Sequence, residues 1–208
     1  MTPKRILVIE DDPEIREVMQ VYFEQKIIKH PEKKLSFEYV ECIEKARSKL
    51  TSEISKINYD LLIVDVRLPN SYEDWKKLYS NEEYGEPLVE ERENLILELA
   101  DLTSDGWGPV SEQKSEEENK IRKSIYKKNE EIAGLIETDG GINLIIDIAK
   151  KYKKPLCIPI IFVSARRRDV FSEYLINDII GEEFYKRIEK PAEPNTIWEF
   201  VVRSINIT

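Results

Sequence analysis

The sequence predicts an α/β protein, with a five-stranded parallel sheet covered by helices on both faces and an inserted helical hairpin. Residues 6–9, 59–65 and 158–164 are apolar almost throughout, as strands buried on both faces should be. These strands alternate with amphipathic helices, which is typical of a parallel sheet. Residues 70–139 interrupt the alternation and hold 19 acidic and 9 basic residues, whereas the rest of the chain holds 22 and 23.

The first half of the predicted core contains three strands and two helices. Asp12 is a good helix cap, and Pro13 is well suited to the first helical position. Apolar residues then recur at helical spacing, and His30-Pro31 ends the helix. The predicted strands are 6–9, 35–40 and 59–65, and the predicted helices are 13–28 and 42–50.

The second half of the predicted core continues the same alternation. Gly140 begins a helix, and Gly181 is expected to end another. The last predicted strand is shorter and more polar than the others. The predicted strands are 158–164 and 184–188, and the predicted helices are 140–152, 169–180 and 194–205.

The interruption has a helical pattern of its own. Two series of leucines and isoleucines fall at helical spacing on either side of a glycine- and proline-containing loop at 103–109. They are Leu88, Leu95, Leu99 and Leu102, then Ile121, Ile125 and Ile132. We therefore predict a core domain of residues 1–69 and 140–208, with an acidic helical insertion at 70–139.

Composition excludes several classes of protein. The 208 residues carry a formal net charge of −9, which argues against a general nucleic-acid surface. No apolar run approaches the ~20 residues of a membrane span, and the N-terminus has no secretory signal pattern. The two cysteines, Cys42 and Cys157, cannot form a disulfide framework. We expect a cytoplasmic protein that binds neither nucleic acid nor membrane.

Polar side chains follow the predicted strands at one edge of the sheet. These residues are Asp11, Asp12, Asp65, Ser164 and Lys190, and the carboxyl ends of parallel strands form the ligand crevice in such folds. Clustered carboxylates repel one another, and a hard cation such as Mg²⁺ relieves that repulsion. A carboxylate can also attack phosphorus, while amine and hydroxyl groups bind phosphoryl oxygens.

Four motifs at these strand ends give the sequence a family resemblance. ILVIEDDPEIRE, YDLLIVDVRLP, IIFVSA and EKPAEP, in this order, resemble a response-regulator receiver domain of two-component signalling. The resemblance covers about residues 4–69 and 140–206. It implies the flavodoxin-like doubly wound fold with strand order 2-1-3-4-5.

The resemblance also implies roles for individual residues. Asp65 matches the phosphoacceptor. Asp11 and Asp12 match the acidic pair that binds Mg²⁺ together with Asp65, and the backbone carbonyl of Arg67 matches a further ligand. Mg²⁺ is therefore the implied cofactor.

The resemblance extends to the residues that bind the phosphoryl group, with one departure. Ser164 matches the hydroxyl residue of the family, and Lys190 matches its lysine, which Pro191 follows. The family places an aromatic residue three positions before the lysine, but this chain has Arg187 there, and Tyr185 lies two residues earlier.

The function that the resemblance implies is phosphoryl acceptance. A sensor histidine kinase or histidine phosphotransfer protein would phosphorylate Asp65, and slow hydrolysis would follow, with no other enzymatic activity. Because the chain ends after the last predicted helix, we expect output through a downstream protein, with the insertion as a candidate surface. The alternative is an unphosphorylated receiver-like interaction module, which Arg187 favours. A phosphohydrolase would need an acid where the chain has Arg67.

Overall fold

The structure is a computed structural model that describes residues 2–51, 58–80, 86–104, 112–152, 156, 158–164, 185–190 and 193–206. The chain divides into two compact units, a first unit of residues 1–72 and 138–208 and a second unit of residues 73–137. The predicted helix at 169–180 lies outside the described residues.

The first unit contains a five-stranded parallel sheet. Its strand order is β2-β1-β3-β4-β5, so the predicted fold and the order 2-1-3-4-5 are confirmed. The strands are β1 (Lys4–Ile9), β2 (Leu35–Val40), β3 (Leu61–Asp65), β4 (Ile160–Ser164) and β5 (Tyr185–Glu189). Two further strands of two residues each, Leu68–Pro69 and Ile136–Glu137, lie outside this sheet.

Seven α-helices and one 3-10 helix are found in the part of the chain that the structure describes. They are α1 (Pro13–Lys29), the 3-10 helix (Pro31–Lys33), α2 (Ile43–Thr51), α3 (Tyr72–Tyr79), α4 (Leu88–Ser104), α5 (Glu112–Leu135), α6 (Gly140–Tyr152) and α7 (Pro194–Asn206). None of these helices is both long and apolar enough to cross a membrane.

Both faces of the sheet are buried under helices. Leu7 of β1 belongs to a core cluster with residues of α2 and α6, such as Leu50 and Ile145. Val8 belongs to the cluster on the other face, which includes Phe23 of α1 and other residues of α1 and α7. Because side chains alternate along a strand, the apolar residues 6–9 of β1 supply both clusters.

The second unit contains α4 and α5, which pack against each other. The Lys128 ammonium forms an ion pair with Glu91 and lies 3.2 Å from Glu131 Oε2. Glu91 is in the first turn of α4 and Lys128 is in the second half of α5, so the two helices run antiparallel. Residues 73–137 hold 18 acidic and 9 basic residues, a difference equal to the net charge of the whole chain.

Candidate functional site

Three carboxylates meet at the carboxyl edge of the sheet. Glu10 follows β1, Asp11 is next in the chain, and Asp65 is the last residue of β3. Their side chains are buried, and each offers a carboxylate oxygen within 4.8 Å of the others. Strands β1 and β3 are paired neighbours, which is why their ends lie side by side. We call Glu10, Asp11 and Asp65 the carboxylate cluster.

Lys190 joins two members of the carboxylate cluster. Its Nζ donates to Asp65 Oδ2 at 2.6 Å and to Glu10 Oε1 at 3.0 Å. The lysine directly follows β5, and its backbone N–H donates to the Ser164 carbonyl at 2.7 Å. Burial lowers the pKa of Lys190, but the charges of Asp65 and Glu10 outweigh burial and raise it above its ordinary value. Lys190 is therefore a fixed positive charge at the site.

The carboxylate cluster carries more negative charge than Lys190 can balance. Burial, and next the charge of Asp65, raise the pKa of Glu10 to about 8. Burial and the repulsion from Asp65 both disfavour the ionised form of this carboxyl group. A divalent cation would relieve the same repulsion, and Mg²⁺ prefers carboxylate oxygens. The donor set of the cluster therefore fits Mg²⁺.

Asp12 has a different position from the carboxylate cluster. Its Oδ1 accepts hydrogen bonds from the backbone N–H groups of Glu14 at 2.9 Å and Ile15 at 3.1 Å. Asp12 thus caps α1 as the sequence predicts, and its additional role as a metal ligand stays a prediction. The structure brings Asp11 and Asp65 together with Glu10 instead.

Glu10 is the site residue that the sequence reasoning missed. The signal was present, since Glu10 is the first residue after the apolar run of β1. The strand-end rule selects this position before either aspartate.

Ser164 and Arg67 flank Asp65 in different ways. Ser164 is buried and lies one residue beyond Val163, the partner of Asp65 on the neighbouring strand. The Arg67 side chain is exposed, and its backbone N–H donates to Asp65 Oδ1 at 3.2 Å. The proposed ligand role of the Arg67 carbonyl stays a prediction. Pro191 lies outside the described residues.

Tyr185 and Arg187, at which the sequence departs from the family pattern, both lie on β5. Tyr185 is half-buried, and its ring packs edge-on against Phe162 with the centroids 6.2 Å apart. Arg187 is paired with Phe162 across the sheet. The aromatic residue of β5 therefore packs against β4 two residues before Ser164.

The start of α6 is pressed against the end of β3. The Gly141 N–H donates to the Val66 carbonyl at 3.1 Å. A Cβ atom on Gly141 would lie 2.0 Å from the Asp65 carbonyl oxygen and 2.8 Å from Val64 Cγ1. Only glycine permits this approach, which helps to fix the backbone of Asp65.

No protein-family model and no curated protein matches the sequence. Among solved structures, the chain is similar to a response regulator receiver domain protein (CheY-like) from Methanospirillum hungatei JF-1. The identity is 12%, the alignment covers 99% of this chain and 95% of that chain, and the TM-score is 0.50. A signal receiver domain from Vibrio parahaemolyticus aligns with 12% identity over 99% of this chain and 92% of its own, with a TM-score of 0.49. The sheet order and the first of these similarities show that the chain has the fold of a response-regulator receiver domain.

Proposed function

We propose that the chain is a phosphoacceptor response regulator that is phosphorylated on Asp65. The observation that carries the proposal is the hydrogen bonding of Lys190 to both Asp65 and Glu10 inside the buried carboxylate cluster. A purely structural ion pair needs one acid for each base, and a buried excess of acid is costly. An excess of buried carboxylate beside a lysine suits a site that binds a cation and a phosphoryl group.

The proposed reaction is a phosphoryl transfer from a phosphohistidine. A carboxylate oxygen of Asp65 attacks phosphorus, a P–O bond forms, and the P–N bond to the donor histidine breaks. The electron pair of the broken bond stays on the histidine nitrogen, and Asp65 becomes an acyl phosphate. In this proposal Lys190 and Ser164 bind phosphoryl oxygens. Water later attacks phosphorus, which releases inorganic phosphate and restores the Asp65 carboxylate.

Glu10, Asp11 and Asp65 would hold Mg²⁺ in this proposal. When bound, the cation offsets the negative charge that the carboxylates and the phosphoryl oxygens share. The partner that supplies the phosphoryl group is a sensor histidine kinase or a histidine phosphotransfer protein, and the output is contact with a downstream protein. Phosphoryl acceptance and slow hydrolysis are the only reactions that we propose.

The proposed function is tested by intact mass spectrometry. The full chain is incubated with a small phosphodonor such as acetyl phosphate, either with Mg²⁺ or with EDTA. We expect the added mass of one phosphoryl group with Mg²⁺ and a much slower gain with EDTA. A chain that gains no phosphoryl mass under either condition would support the unphosphorylated interaction module instead.

Replacing Glu10 with glutamine should weaken Mg²⁺ binding, whereas replacing Asp12 with asparagine should not. Glu10→Gln removes one carboxylate of the cluster, and we expect the dissociation constant for Mg²⁺ to rise at least about tenfold. Asp12→Asn keeps a residue that caps helices well. Isothermal titration of the two variants with Mg²⁺ makes the comparison. A larger loss in Asp12→Asn than in Glu10→Gln would return the metal role to Asp12.

We further propose that the acidic second unit is a surface for a protein partner. It carries the whole net negative charge of the chain, and α4 exposes Leu97, which is 63% exposed. The segment that leads into it is held within the first unit, since the Tyr72 N–H donates to Glu44 Oε2 and the Glu44 N–H donates to the Asn70 carbonyl, both at 3.0 Å. An acidic surface of this kind favours a basic partner.

Deletion of residues 73–137, with a short Gly/Ser linker in their place, should leave a folded chain that accepts phosphate from a small donor at the full-length rate. The sheet and the carboxylate cluster belong to the first unit, so neither should be lost. A protein that binds the full chain should associate with the shortened chain at least about tenfold more slowly. The control is a full-length chain in which exposed acids of the second unit are changed to amides, such as Glu93→Gln and Glu117→Gln. It shows whether partner binding depends on the charge of the unit or on its size. A partner bound equally well by both chains would contradict the surface role.

A further inference from the structure

An arginine of α1 holds the peptide that joins two members of the carboxylate cluster. Arg16 lies in the first turns of α1, and its Nη1 donates to the backbone carbonyl of Glu10 at 3.0 Å. This carbonyl belongs to the peptide bond between Glu10 and Asp11. We infer that Arg16 is a positioning residue for the Mg²⁺ site, because it fixes the peptide from which two of the three carboxylates project.

The backbone on either side of this carbonyl is fixed by other contacts. The Glu10 N–H donates to the Val40 carbonyl at 3.1 Å, which continues the β1–β2 pairing. Asp12 is fixed by its capping bonds, and the Arg16 N–H donates to the Asp12 carbonyl at 3.0 Å as the first bond of the helix. Arg16 therefore holds the segment between the end of β1 and the start of α1 in two ways. Its backbone N–H binds the Asp12 carbonyl, and its side chain binds the Glu10 carbonyl.

The charge of Arg16 matters as well as its hydrogen bond. A charged donor forms a stronger hydrogen bond than a neutral one. Glu10 and Asp11 are buried beside Asp65, so repulsion between these carboxylates favours turning the peptide away from the site. A cation binds more tightly to ligands that are already oriented, because less of the binding free energy is spent on ordering them.

A purely structural role for Arg16 makes a different prediction. If Arg16 only stabilised the start of α1, its removal would lower the melting temperature and leave the affinity for Mg²⁺ unchanged. A positioning role predicts weaker Mg²⁺ binding, while the phosphorylation rate at saturating Mg²⁺ stays near that of wild type. The second pattern is expected because Lys190 and Ser164, rather than Arg16, bind the phosphoryl oxygens in the proposed reaction.

Titration of the full chain with Mg²⁺ tests the inference. Arg16→Ala should raise the Mg²⁺ dissociation constant roughly tenfold, the usual effect of losing a group that orients a ligand. Arg16→Lys keeps a charged donor and should recover most of this loss. Arg203→Ala is the matched control, since it removes an exposed guanidinium of α7 and changes the net charge equally. We expect Arg203→Ala to bind Mg²⁺ as wild type does.

An unchanged dissociation constant in Arg16→Ala would overturn the inference, as would an equal rise in Arg203→Ala or a wild type that binds no Mg²⁺. If Arg16→Ala fails to fold, Arg16→Gln takes its place, since it retains a neutral N–H donor. Arg16→Gln should lose part of the affinity for Mg²⁺, and an unchanged affinity would again overturn the inference. The inference rests on the proposed function for the identity of the cation. If the wild type binds Mg²⁺ but accepts no phosphoryl group, the proposed function is refuted. The Mg²⁺ dissociation constants of Arg16→Ala and wild type would then still test the role of Arg16.

Discussion

Lys190→Met should destabilise the first unit by about 3 kcal/mol in EDTA, because it leaves the buried carboxylates without their cationic partner. Part of this loss should return on addition of Mg²⁺, since a bound cation that prefers the folded state raises its stability. The variant should therefore gain more from Mg²⁺ than wild type does. Urea unfolding with and without Mg²⁺ measures both effects.

The control for Lys190→Met is Lys4→Met. Lys4 also donates to a carboxylate, at 3.0 Å from Asp60 Oδ1, but its side chain is 38% exposed. Exposed pairs contribute about 0.5 kcal/mol, so this variant should lose little stability and respond to Mg²⁺ as wild type does. Equal small losses in the two variants would mean that Lys190 is not the charge that stabilises the carboxylate cluster.

Gly141→Ala should cost about 3 kcal/mol, at the upper end for overpacking a buried site. The added methyl group would lie 2.0 Å from the Asp65 carbonyl oxygen, and a backbone atom cannot move aside as a flexible side chain can. Either α6 or the end of β3 must shift. We therefore also expect slower phosphorylation of whatever fraction remains folded.

Gly134→Ala is the matched control for Gly141→Ala. Gly134 lies in α5, and an added Cβ would meet no heavy atom within 4 Å. Alanine is the better helix former, so this change should be neutral or stabilising by about 0.5 kcal/mol. Urea unfolding compares the two. A Gly141→Ala variant as stable as wild type would show that α6 does not approach Asp65 as closely as described.

The sheet could be predicted from sequence because its signal is local and repeated. Residues 6–9 of β1 are apolar and are followed directly by acidic residues. The sequence therefore indicates both the burial of the strand and the position of its carboxyl end. The same rule predicts that Asp11, Asp65 and Lys190 lie at one edge of the sheet. Residues far apart in the chain, such as Asp65 and Lys190, meet there because parallel strands share an edge.

The site was harder to predict at the level of single residues. Asp12 and Glu10 are both acids next to a strand end, and composition cannot say which one turns toward Asp65. Hydrogen bonds decide it, because two N–H groups of α1 engage Asp12 and Lys190 engages Glu10. The contact of Gly141 with Asp65 depends on how α6 returns to the sheet, and the hydrogen bond from Arg16 depends on a rotamer. Neither has a signature in a single sequence.

Acceptance of a phosphoryl group by Asp65 is tested most directly by comparing two isosteric variants, one at the end of β3 and one just before β3. Asp65→Asn removes the proposed nucleophile, whereas Asp60→Asn changes a half-exposed aspartate that accepts hydrogen bonds from Lys4 and Arg5 before the strand. Each is incubated with Mg²⁺ and acetyl phosphate and followed by intact mass. We expect Asp60→Asn to gain one phosphoryl group at the wild-type rate and Asp65→Asn to gain none. Phosphorylation of Asp65→Asn at the wild-type rate would show that Asp65 is not the phosphoacceptor.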